Sequence, residues 1–542
     1  FALRLRGNAR KTDEGYEYRL ENCTAAVDGE EAETIVAPYL GAAQKKAIES
    51  IAAQAVSLKA EGNQDRGHIT VRTDGTAGEL NLTANYTILG HKTFAISGKT
   101  SFKELNLGLV TGKNELGLIS GRIEGKGRTG YKASGEIKAE IDDFDFHGYT
   151  YSDIDLSIGL ENKKQLEVRA DMNDPSAIVH AYTLYTDNDE GKRLQATAMV
   201  ANVDFNALGL DSGHEGYRFG AKLNTDLDMA DFTHGHGFIK LNDIRWLDNN
   251  NRGLRIDDFT VNADSKSDPS TIDIDSDIIR GTFEGEYNFA TLVPQLKDMA
   301  AHFMPALLPE MSQPDESKVN DFKFNFTLLP SENVTEFFGL PVHIVHDADL
   351  QGDFDSRIGR ASLSFDIPYL RNGDKLIEST ALHASMDSGA DRSYIYVTTQ
   401  IPTNKGDMAL TGLINGANNL IDTRIDWMIE RKIPLNGSMS FSTEILPAPA
   451  QKDPSMLSPI PLIVNFNPGT INFGDETWNI RKSRISVGKE IRVEGFGLDA
   501  DRQSIAIDGT AGHEEDDNIT IDLRSIALLP IFETLEIDNA MI

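Results

Sequence analysis

Apolar and polar residues alternate along most of this chain. In DFKFNFTLL, Phe322, Phe324 and Phe326 fall on one side of an extended backbone, and Lys323 and Asn325 fall on the other. This period of two is typical of β-strands with one dry and one wet face, an arrangement that antiparallel sheets permit. AKLNTDLDM, DIDLSIGL, ASLSFDI and NITIDL repeat the pattern. The sequence therefore predicts a fold dominated by antiparallel β-structure.

Short polar turns separate these runs. GTAGE, LDNNNRG, RNGD and TNKGD are built mainly from Gly, Asn, Asp and Lys, and residues of this kind tolerate tight hairpins. Strand, turn and strand form a meander, and roughly 12 residues for each strand and turn give about 40 strands. A flat open sheet of that size is unstable, so we predict that the meander curls into an elongated groove with its apolar face inside.

Two segments have helical rather than alternating spacing. The Ala-rich stretch 31–60 repeats apolar residues at intervals of three or four, at Ile48, Ile51, Ala55 and Leu58, which predicts a helix. A second helical insertion is predicted over 288–310. We therefore expect a few helical insertions in the meander.

Proline and serine residues indicate where the predicted helices are interrupted or begin. Pro294 and Pro305 are predicted to interrupt the second helix. SENVTEFFGL, 331–340, predicts a short helix that is capped by Ser331.

The sequence also contains a loose internal repeat. In VDFNALGLD, GEYNFATLVPQL and LRSIALLPIFETL a strand leads into an apolar element, as expected for stacked units.

The chain has no apolar run of about 18 residues and no recognisable signal peptide. Both ends, FALRLRG and EIDNAMI, lie in strand-like runs, so we expect the chain to continue in a larger protein. The predicted organisation is an N-terminal part of the groove over 1–287, a helical insertion over 288–310, a middle part over 311–445, a Pro-rich linker over 446–461 and a C-terminal part over 462–542.

The composition excludes several kinds of partner. The chain has 84 acidic and 52 basic residues, a net charge of -32, which excludes a general electrostatic grip on nucleic acid. The same excess of acid disfavours broad contact with an anionic membrane surface. The single cysteine, Cys23, excludes an intrachain disulfide and a multi-cysteine metal site.

Two groups of histidines have spacing that a metal site could use. His234 and His236 would lie on one side of a strand, and His343, His346 and Asp347 lie close together in sequence. Neither group matches a helical zinc motif or has an evident further ligand. We interpret both as ordinary strand or turn residues and predict no metal site.

Acidic clusters also lack a complete motif. Asp273, Asp275 and Asp277 resemble the start of a calcium loop, but the Gly and the terminal Glu of that loop are missing. HEEDDN, 513–518, is interpreted as a charged hairpin turn. The chain contains no nucleophile elbow, P-loop or dinucleotide fingerprint. We predict a protein without catalytic residues or a cofactor.

The strongest candidate site is the apolar face itself. Phe is frequent, with 25 residues, and Trp is rare, with 3, which favours a smooth apolar lining for acyl chains. A closed sandwich with a packed interior would have the same alternating sequence. The predicted lining residues are Ile154, Leu156, Ile158, Leu223, Leu227, Phe322, Phe324, Phe326, Leu328, Leu363, Phe365, Ile367, Ile519, Ile521 and Leu523.

ELNLTANYTI, GTFEGEYNFATLVPQL, DFKFNFTLLP and IALLPIFETLEIDNAMI resemble the translocation and assembly module subunit TamB family of the AsmA-like superfamily, in its Bacteroidetes-type form. The resemblance implies a β-taco, a long sheet folded around an apolar groove, that crosses the periplasm from an inner-membrane anchor. It implies phospholipid transport between the membranes, and outer-membrane protein assembly with a β-barrel partner. The N-terminal membrane helix and a barrel-docking domain are not recognisable here, as expected for an internal fragment.

Three functional hypotheses follow. The first is a non-enzymatic periplasmic bridge that binds phospholipid acyl chains in the groove. The second is an extracellular β-rich scaffold or adhesin with a packed interior. The third is a carbohydrate-active enzyme on a β-solenoid, which would need a carboxylate cluster on an exposed face. The resemblance favours the first hypothesis.

Overall fold

The computed structural model describes most of the chain. These residues are 2–13, 15–27, 54–90, 93–113, 115–130, 132–188, 191–229, 235–308, 319–402, 406–430, 434–447, 460–512 and 517–526. The described residues contain 33 strands, which form one long antiparallel meander. The all-β class, the antiparallel meander and the small number of short helices are thereby confirmed.

The chain divides into two compact units, residues 1–262 and 263–542, which we call the first and second units. The strands that begin in the first unit are β1 Ala2–Thr12, β2 Gly15–Val27, β3 Gln54–Asn63, β4 Arg66–Gly75, β5 Glu79–Gly90, β6 Thr93–Asn106, β7 Leu116–Arg128, β8 Ser134–Phe146, β9 Tyr149–Glu161, β10 Gln165–Asp174, β11 Ala177–Asn188, β12 Gly191–Val203, β13 Arg218–Met229, β14 Gly235–Leu247 and β15 Gly253–Asp264. Helix α1, Leu107–Thr111, lies between β6 and β7.

The second unit contains the remaining strands. They are β16 Thr271–Ser276, β17 Ile279–Glu286, β18 Asp321–Leu328, β19 His343–Ile344, β20 Ala348–Asp355, β21 Arg360–Asn372, β22 Lys375–Asp387, β23 Arg392–Ile401, β24 Met408–Ala417, β25 Leu420–Ile429, β26 Leu435–Ile445, β27 Leu462–Phe466, β28 Gly469–Phe473, β29 Glu476–Ile480, β30 Ser483–Val487, β31 Ile491–Asp499, β32 Ser504–Ala511 and β33 Ile519–Arg524. Helices α2, Phe289–Phe303, and α3, Glu332–Phe337, are inserted among them.

The hairpin turns show why the polar segments end the strands. Between β24 and β25, Asn418 and Asn419 have φ angles of 49° and 63°. Two successive left-handed residues give a tight turn whose twist matches that of paired strands, and Asn tolerates that conformation better than most residues. The two asparagines therefore set the ends of β24 and β25.

The helix predicted over 31–60 is wrong for the part that the structure describes. Residues 54–60 lie in β3, and 28–53 lie outside the described residues. β3 pairs with β2 on one side and β4 on the other, so its backbone hydrogen bonds are made between strands. The period-two set Val56, Leu58 and Ala60 lies on one face of the sheet. Strand pairing thus overrides the three-residue spacing of Ala55 and Leu58.

The helix predicted over 288–310 is present as α2, with different ends. It runs through Pro294, where a break was predicted, because a proline in the second turn removes only one backbone donor. It ends at Phe303, just before the residue that precedes Pro305, as the restriction on that residue requires.

The short helix predicted near 331–340 is present as α3, but its cap differs. The hydroxyl of Ser331 donates to Oδ1 of Asn333 at 2.9 Å, and no side-chain hydrogen bond from Ser331 caps the helix. Of the predicted Pro-rich linker, 448–459 lies outside the described residues, while the Leu446 amide donates to the Pro461 carbonyl at 2.9 Å.

The predicted domain bounds remain predictions. Each unit has a small cluster of buried side chains: Ala177, Val203 and Leu208 in the first, and Phe283, Tyr287, Met299, Phe303, Phe322 and Phe354 in the second. Most other apolar strand residues that the structure describes are half-buried or exposed. Among the described residues, no helix is long and apolar enough to cross a lipid bilayer.

Candidate hydrophobic binding surface

Strand register aligns the apolar residues of the first unit into continuous rows. Directly opposed residues of neighbouring antiparallel strands share one face of a sheet. Four rows run from β2 towards β14 on the same face, which we call the first apolar face. They are Tyr18–Gly62–Gly67–Tyr86–Ile96–Gly127–Gly135–Leu160–Leu166–Tyr185–Leu194–Leu227–Gly237, Leu20–Ala60–Ile69–Ala84–Gly98–Gly125–Ile137–Ile158–Val168–Thr183–Ala196–Thr225–Ile239, Cys23–Leu58–Val71–Leu82–Thr100–Ile123–Ala139–Leu156–Ala170–Ala181–Ala198–Leu223–Leu241 and Ala25–Val56–Thr73–Leu80–Phe102–Gly121–Ile141–Ile154–Met172–Val179–Val200–Ala221. None of these positions carries a charged side chain.

The structure brings the predicted lining residues of this unit together. Ile154, Leu156 and Ile158 occupy three of the rows, and Leu223 and Leu227 occupy two. All five side chains are half-buried rather than enclosed. The sequence thus identified five members of one continuous surface.

The opposite face of the first unit carries paired charges. The ammonium groups of Lys126 and Lys138 lie 3.1 and 3.3 Å from the Glu136 carboxylate. Hydrogen bonds from Lys126 and then from Lys138 hold the pKa of Glu136 below its ordinary value. These charges therefore lie on the side of the sheet opposite the four rows.

Tyrosines provide the polar groups at one end of the first apolar face. The hydroxyls of Tyr18 and Tyr86 are 2.7 Å apart, above the paired Gly62 and Gly67. A Cβ on Gly67 would lie 2.5 Å from the Tyr18 hydroxyl, so only glycine leaves room for this ring pair. Burial, and then the hydrogen bond to Tyr86, raise the pKa of Tyr18 to about 12, so it stays protonated near neutral pH.

A turn segment closes one rim of the first apolar face. Residues 204–217 connect β12 to β13, and Leu208, 4 % exposed, packs with Ala177 and Val203. Phe205 packs edge to face against Trp246 with ring centroids 5.4 Å apart. The segment therefore seals the rim and leaves the rest of the apolar rows half-exposed.

A buried carboxylate fixes the strands below this segment. Asp174, 3 % exposed, accepts hydrogen bonds from the Tyr149 hydroxyl at 2.5 Å, the Ser176 amide at 2.8 Å and the Ser152 amide at 2.9 Å. Burial acts to raise the pKa of Asp174, but the hydrogen bonds outweigh it and hold the pKa below the ordinary value.

The second unit has an apolar face built in the same way. Three rows cross it, and we call them the second apolar face. They are Ile272–Phe283–Phe324–Gly352–Leu363–Ala384–Ile395–Ile414–Thr423–Phe441–Phe466, Ile274–Gly281–Phe326–Leu350–Phe365–Leu382–Val397–Gly412–Ile425–Met439 and Gly285–Phe322–Phe354–Ala361–Met386–Ser393–Gly416–Ile421–Thr443–Val464–Ile485–Val493–Gly509–Ile519. These rows also lack charged residues.

The predicted lining residues of the second unit lie on this face. The rows contain Phe322, Phe324, Phe326, Leu363 and Phe365. The side chains of two further residues share the face by strand alternation, Leu328 at the end of β18 and Ile367 on β21.

The last three predicted residues lie on β33 and are much more exposed. Ile519 continues a row, while Ile521 and Leu523 oppose Ile507 and Ile505. Ile521 and Leu523 are 61 % and 60 % exposed, because β33 pairs only with β32 among the described strands.

Helix α2 covers part of the second apolar face. Its side chains at Leu292, Leu296, Met299 and Phe303 follow helical spacing and pack on Phe322 and neighbouring strand residues. Beside this contact, α2 and the sheet form a half-open cavity of about 530 Å³. Its lining includes Leu296, Ala300, Met304, Phe324, Leu363, Ala384, Met386, Ile395, Ile414 and Ile421.

A buried asparagine anchors the start of α2. Asn320, 0 % exposed, accepts from the Asn288 amide at 2.6 Å and donates to Oε1 of Gln295 at 2.7 Å and to Oγ1 of Thr291 at 3.1 Å. These bonds satisfy the helix end that lacks a side-chain cap from Asn288 itself.

A turn and a histidine–aspartate contact anchor the end of α2. The Asn419 amide donates to the Phe303 carbonyl at 2.9 Å, and its side chain accepts from the Ala306 amide at 2.7 Å. His302 lies 3.3 Å from the Asp391 carboxylate. The helix is therefore tied to the sheet at both ends.

The polar motifs of the sequence form no cluster. His343 bonds Thr335, and His346 packs against Tyr369, with ring centroids 5.1 Å apart. Asp273, Asp275 and Asp277 are exposed, as the strand interpretation predicts. His234 and residues 513–516 lie outside the described residues, within which no group of three or more potential ligands could hold a metal ion.

Sequence reasoning named Phe324 and Leu363 of the cavity floor but missed the residues that α2 contributes. Ala300 and Met304 have one detectable signal, the helical spacing with Leu296. The glycines of the first apolar face interrupt the alternation of large residues, so they gave no signal at all.

Comparison with known proteins gives no family for this chain. No protein-family model matches it, and neither a curated protein nor a solved structure is similar enough to count as a match.

Proposed function

We propose that this chain binds phospholipid acyl chains along its apolar faces and serves as a periplasmic lipid bridge rather than as an enzyme. The observation that carries the proposal is the absence of charge from every aligned row of both faces. Moving an acyl chain from water onto such a surface contributes about 0.8 kcal/mol for each methylene group buried.

The exposure of the rows favours binding over a packed scaffold. Ile96, Ile137 and Leu160 on the first apolar face are 49 %, 47 % and 37 % exposed. In a sandwich these side chains would interdigitate with a second sheet and lose almost all contact with water. Large exposed apolar surfaces instead mark binding sites.

The periplasmic compartment of the bridge rests on the resemblance to the TamB family. Outer-membrane protein assembly with a β-barrel partner rests on it as well. The apolar rows support the lipid-carrying part of that role, since they provide no fixed polar anchor along most of their length and a lipid could slide from strand to strand.

Substitution of matched neighbours tests this function. Leu156→Asp places a carboxylate on the first apolar face, whereas Ser157→Asp places the same group on the polar face, between Lys138 and Arg169. We expect Leu156→Asp to reduce transfer of fluorescent phospholipid between vesicles and the amount of lipid seen by native mass spectrometry. Ser157→Asp should behave as the unmodified chain.

Circular dichroism would establish that both variants keep the β-structure. A lipid-free wild-type chain that also transfers no phospholipid would rule out the proposal. So would a folded Leu156→Asp variant that transfers lipid at the wild-type rate.

A further inference from the structure

We propose that the cavity between α2 and the second apolar face is a discrete site for one acyl chain of a zwitterionic phospholipid, held more tightly than lipid on the open faces. The inference rests on the proposed function and adds a defined position, stoichiometry and ligand class. The volume of about 530 Å³ lies within the range of small-molecule sites, roughly 300–1,000 Å³.

The chemistry of the walls selects an acyl chain. Leu296, Ala300 and Met304 of α2 face a floor that includes Leu363, Ala384 and Ile395. The Met304 thioether is flexible and polarisable, so it can follow an irregular hydrocarbon chain.

Three polar residues of the cavity lining point to the other face of the sheet, while Ser393 lies on the apolar face, where its hydroxyl donates to the Gly416 carbonyl at 2.6 Å. Asp353, Ser362 and Ser385 oppose one another in a row of the polar face, and the Ser362 hydroxyl donates to the Asp353 carboxylate. No charged side chain of the described residues therefore lies on the floor of the cavity.

The anchoring of α2 makes the site preorganised. Asn320 holds the start of the helix, and Asn419 holds its end. A ligand that binds against a helix already held in place loses less free energy to ordering than a ligand that must first order the helix. Tighter binding and slower exchange than on the open rows are the consequence.

Two observations favour a two-tailed zwitterionic lipid over a free fatty acid. The floor belongs to rows that continue beyond the cavity, through Thr423 and Phe441, where a second tail can lie. Arg360, which precedes the lining residue Ala361, already pairs with Asp387. On a chain of net charge -32, a fatty-acid carboxylate gains no comparable partner there.

Photocrosslinking locates the site. Vesicles containing phosphatidylethanolamine with a diazirine on one acyl chain are incubated with the wild-type chain and then chased with unlabelled vesicles before irradiation. We expect the peptides of α2 and β22–β24 to retain crosslinks after the chase, while peptides of the first unit lose theirs.

Matched substitutions on one strand provide the control. Ala384→Trp fills the cavity from its floor, whereas Ala381→Trp places the same ring on the polar face of β22. Chase-resistant crosslinking should fall at least about tenfold in Ala384→Trp, a factor that two buried methylene groups account for, and stay unchanged in Ala381→Trp. Ala300→Trp fills the cavity from the helix and should repeat the loss.

The alternative outcomes separate the two proposals. Wild-type levels of chase-resistant crosslinks in both filled variants would overturn the site. Equal loss from both units during the chase would overturn the tight site and leave the proposed function intact. If lipid extracted from the chain contains a free fatty acid instead of phosphatidylethanolamine, the proposed ligand class is overturned. If neither unit forms crosslinks before the chase, the proposed function is overturned as well.

Discussion

The two units carry the same kind of apolar face but cover it differently. In the first unit, residues 204–217 form a turn that packs Phe205 and Leu208 at the rim. In the second, the longer connection 287–320 includes α2, which lies over part of the face and forms one wall of a half-open cavity. The two segments begin with loosely similar sequences, VDFNALGLD and GEYNFATLVPQL, but the longer connection places a helix over the sheet and the shorter one does not.

Removing a buried side chain from α2 should give the largest difference in stability between the two units. Phe303→Ala removes a side chain that is 2 % exposed from the contact between α2 and the sheet, and we expect it to cost about 3–5 kcal/mol of unfolding free energy. Leu208→Ala at the rim of the first unit should cost about 2–3 kcal/mol.

Urea unfolding followed by tryptophan fluorescence would measure this difference. Trp246 reports on the first unit, and Trp427 and Trp478 report on the second, so variants with a single tryptophan isolate each transition. The comparison breaks down if Phe303→Ala shifts the Trp246 transition as much as the Trp427 transition.

The face that each strand presents was predictable from the sequence. Side-chain direction along a strand has a period of two, so Phe322, Phe324 and Phe326 could be assigned to one surface before any contact was known. All the predicted lining residues fall on the two apolar faces, although their binding of lipid remains a prediction.

The register between strands and the position of the covering helix α2 were not predictable in this way. Gly62, Gly67 and Gly127 belong to the first apolar face through pairing with residues of neighbouring strands, which alternation within one strand does not reveal. The position of α2 depends on Asn320 and Asn419, which are distant from the helix start and end along the chain. Such long-range hydrogen bonds leave no local pattern.

Asn320, which anchors α2, provides a second test of the comparison between the two units. Asn320→Ala removes three hydrogen bonds to the start of α2 and leaves the Asn288 amide without its acceptor. We expect a loss of about 2–4 kcal/mol in the second unit. Because an amide does not titrate, the loss should be the same at pH 4 and pH 8 in urea titrations. A loss that varies with pH would contradict the role assigned to this neutral anchor.

The corresponding anchor of the first unit is charged, so its contribution should depend on pH. The folded pKa of Asp174 lies below the unfolded value of about 3.9, and the carboxylate therefore stabilises the fold above that value. Asp174→Asn should cost about 1–2 kcal/mol at pH 7.

That cost should diminish as the pH falls below about 4 and through the folded pKa, where the wild-type carboxyl becomes protonated as well. Paired urea titrations of the wild type and Asp174→Asn between pH 3 and pH 7 measure the change. A cost that is constant over this range would show that the hydrogen bonds, and not the charge, provide the stabilisation.

The pairing of each strand mainly with its neighbours in sequence has a consequence for synthesis. Contacts of this kind are short-range along the chain, so each hairpin can form once its two strands have left the ribosome or a translocation channel. The connection that contains α2 is an exception, since Asn419 is made more than a hundred residues after Phe303. A nascent chain would thus extend its sheet steadily from the N-terminal side and seat the roof of the cavity only after β24 and β25 emerge.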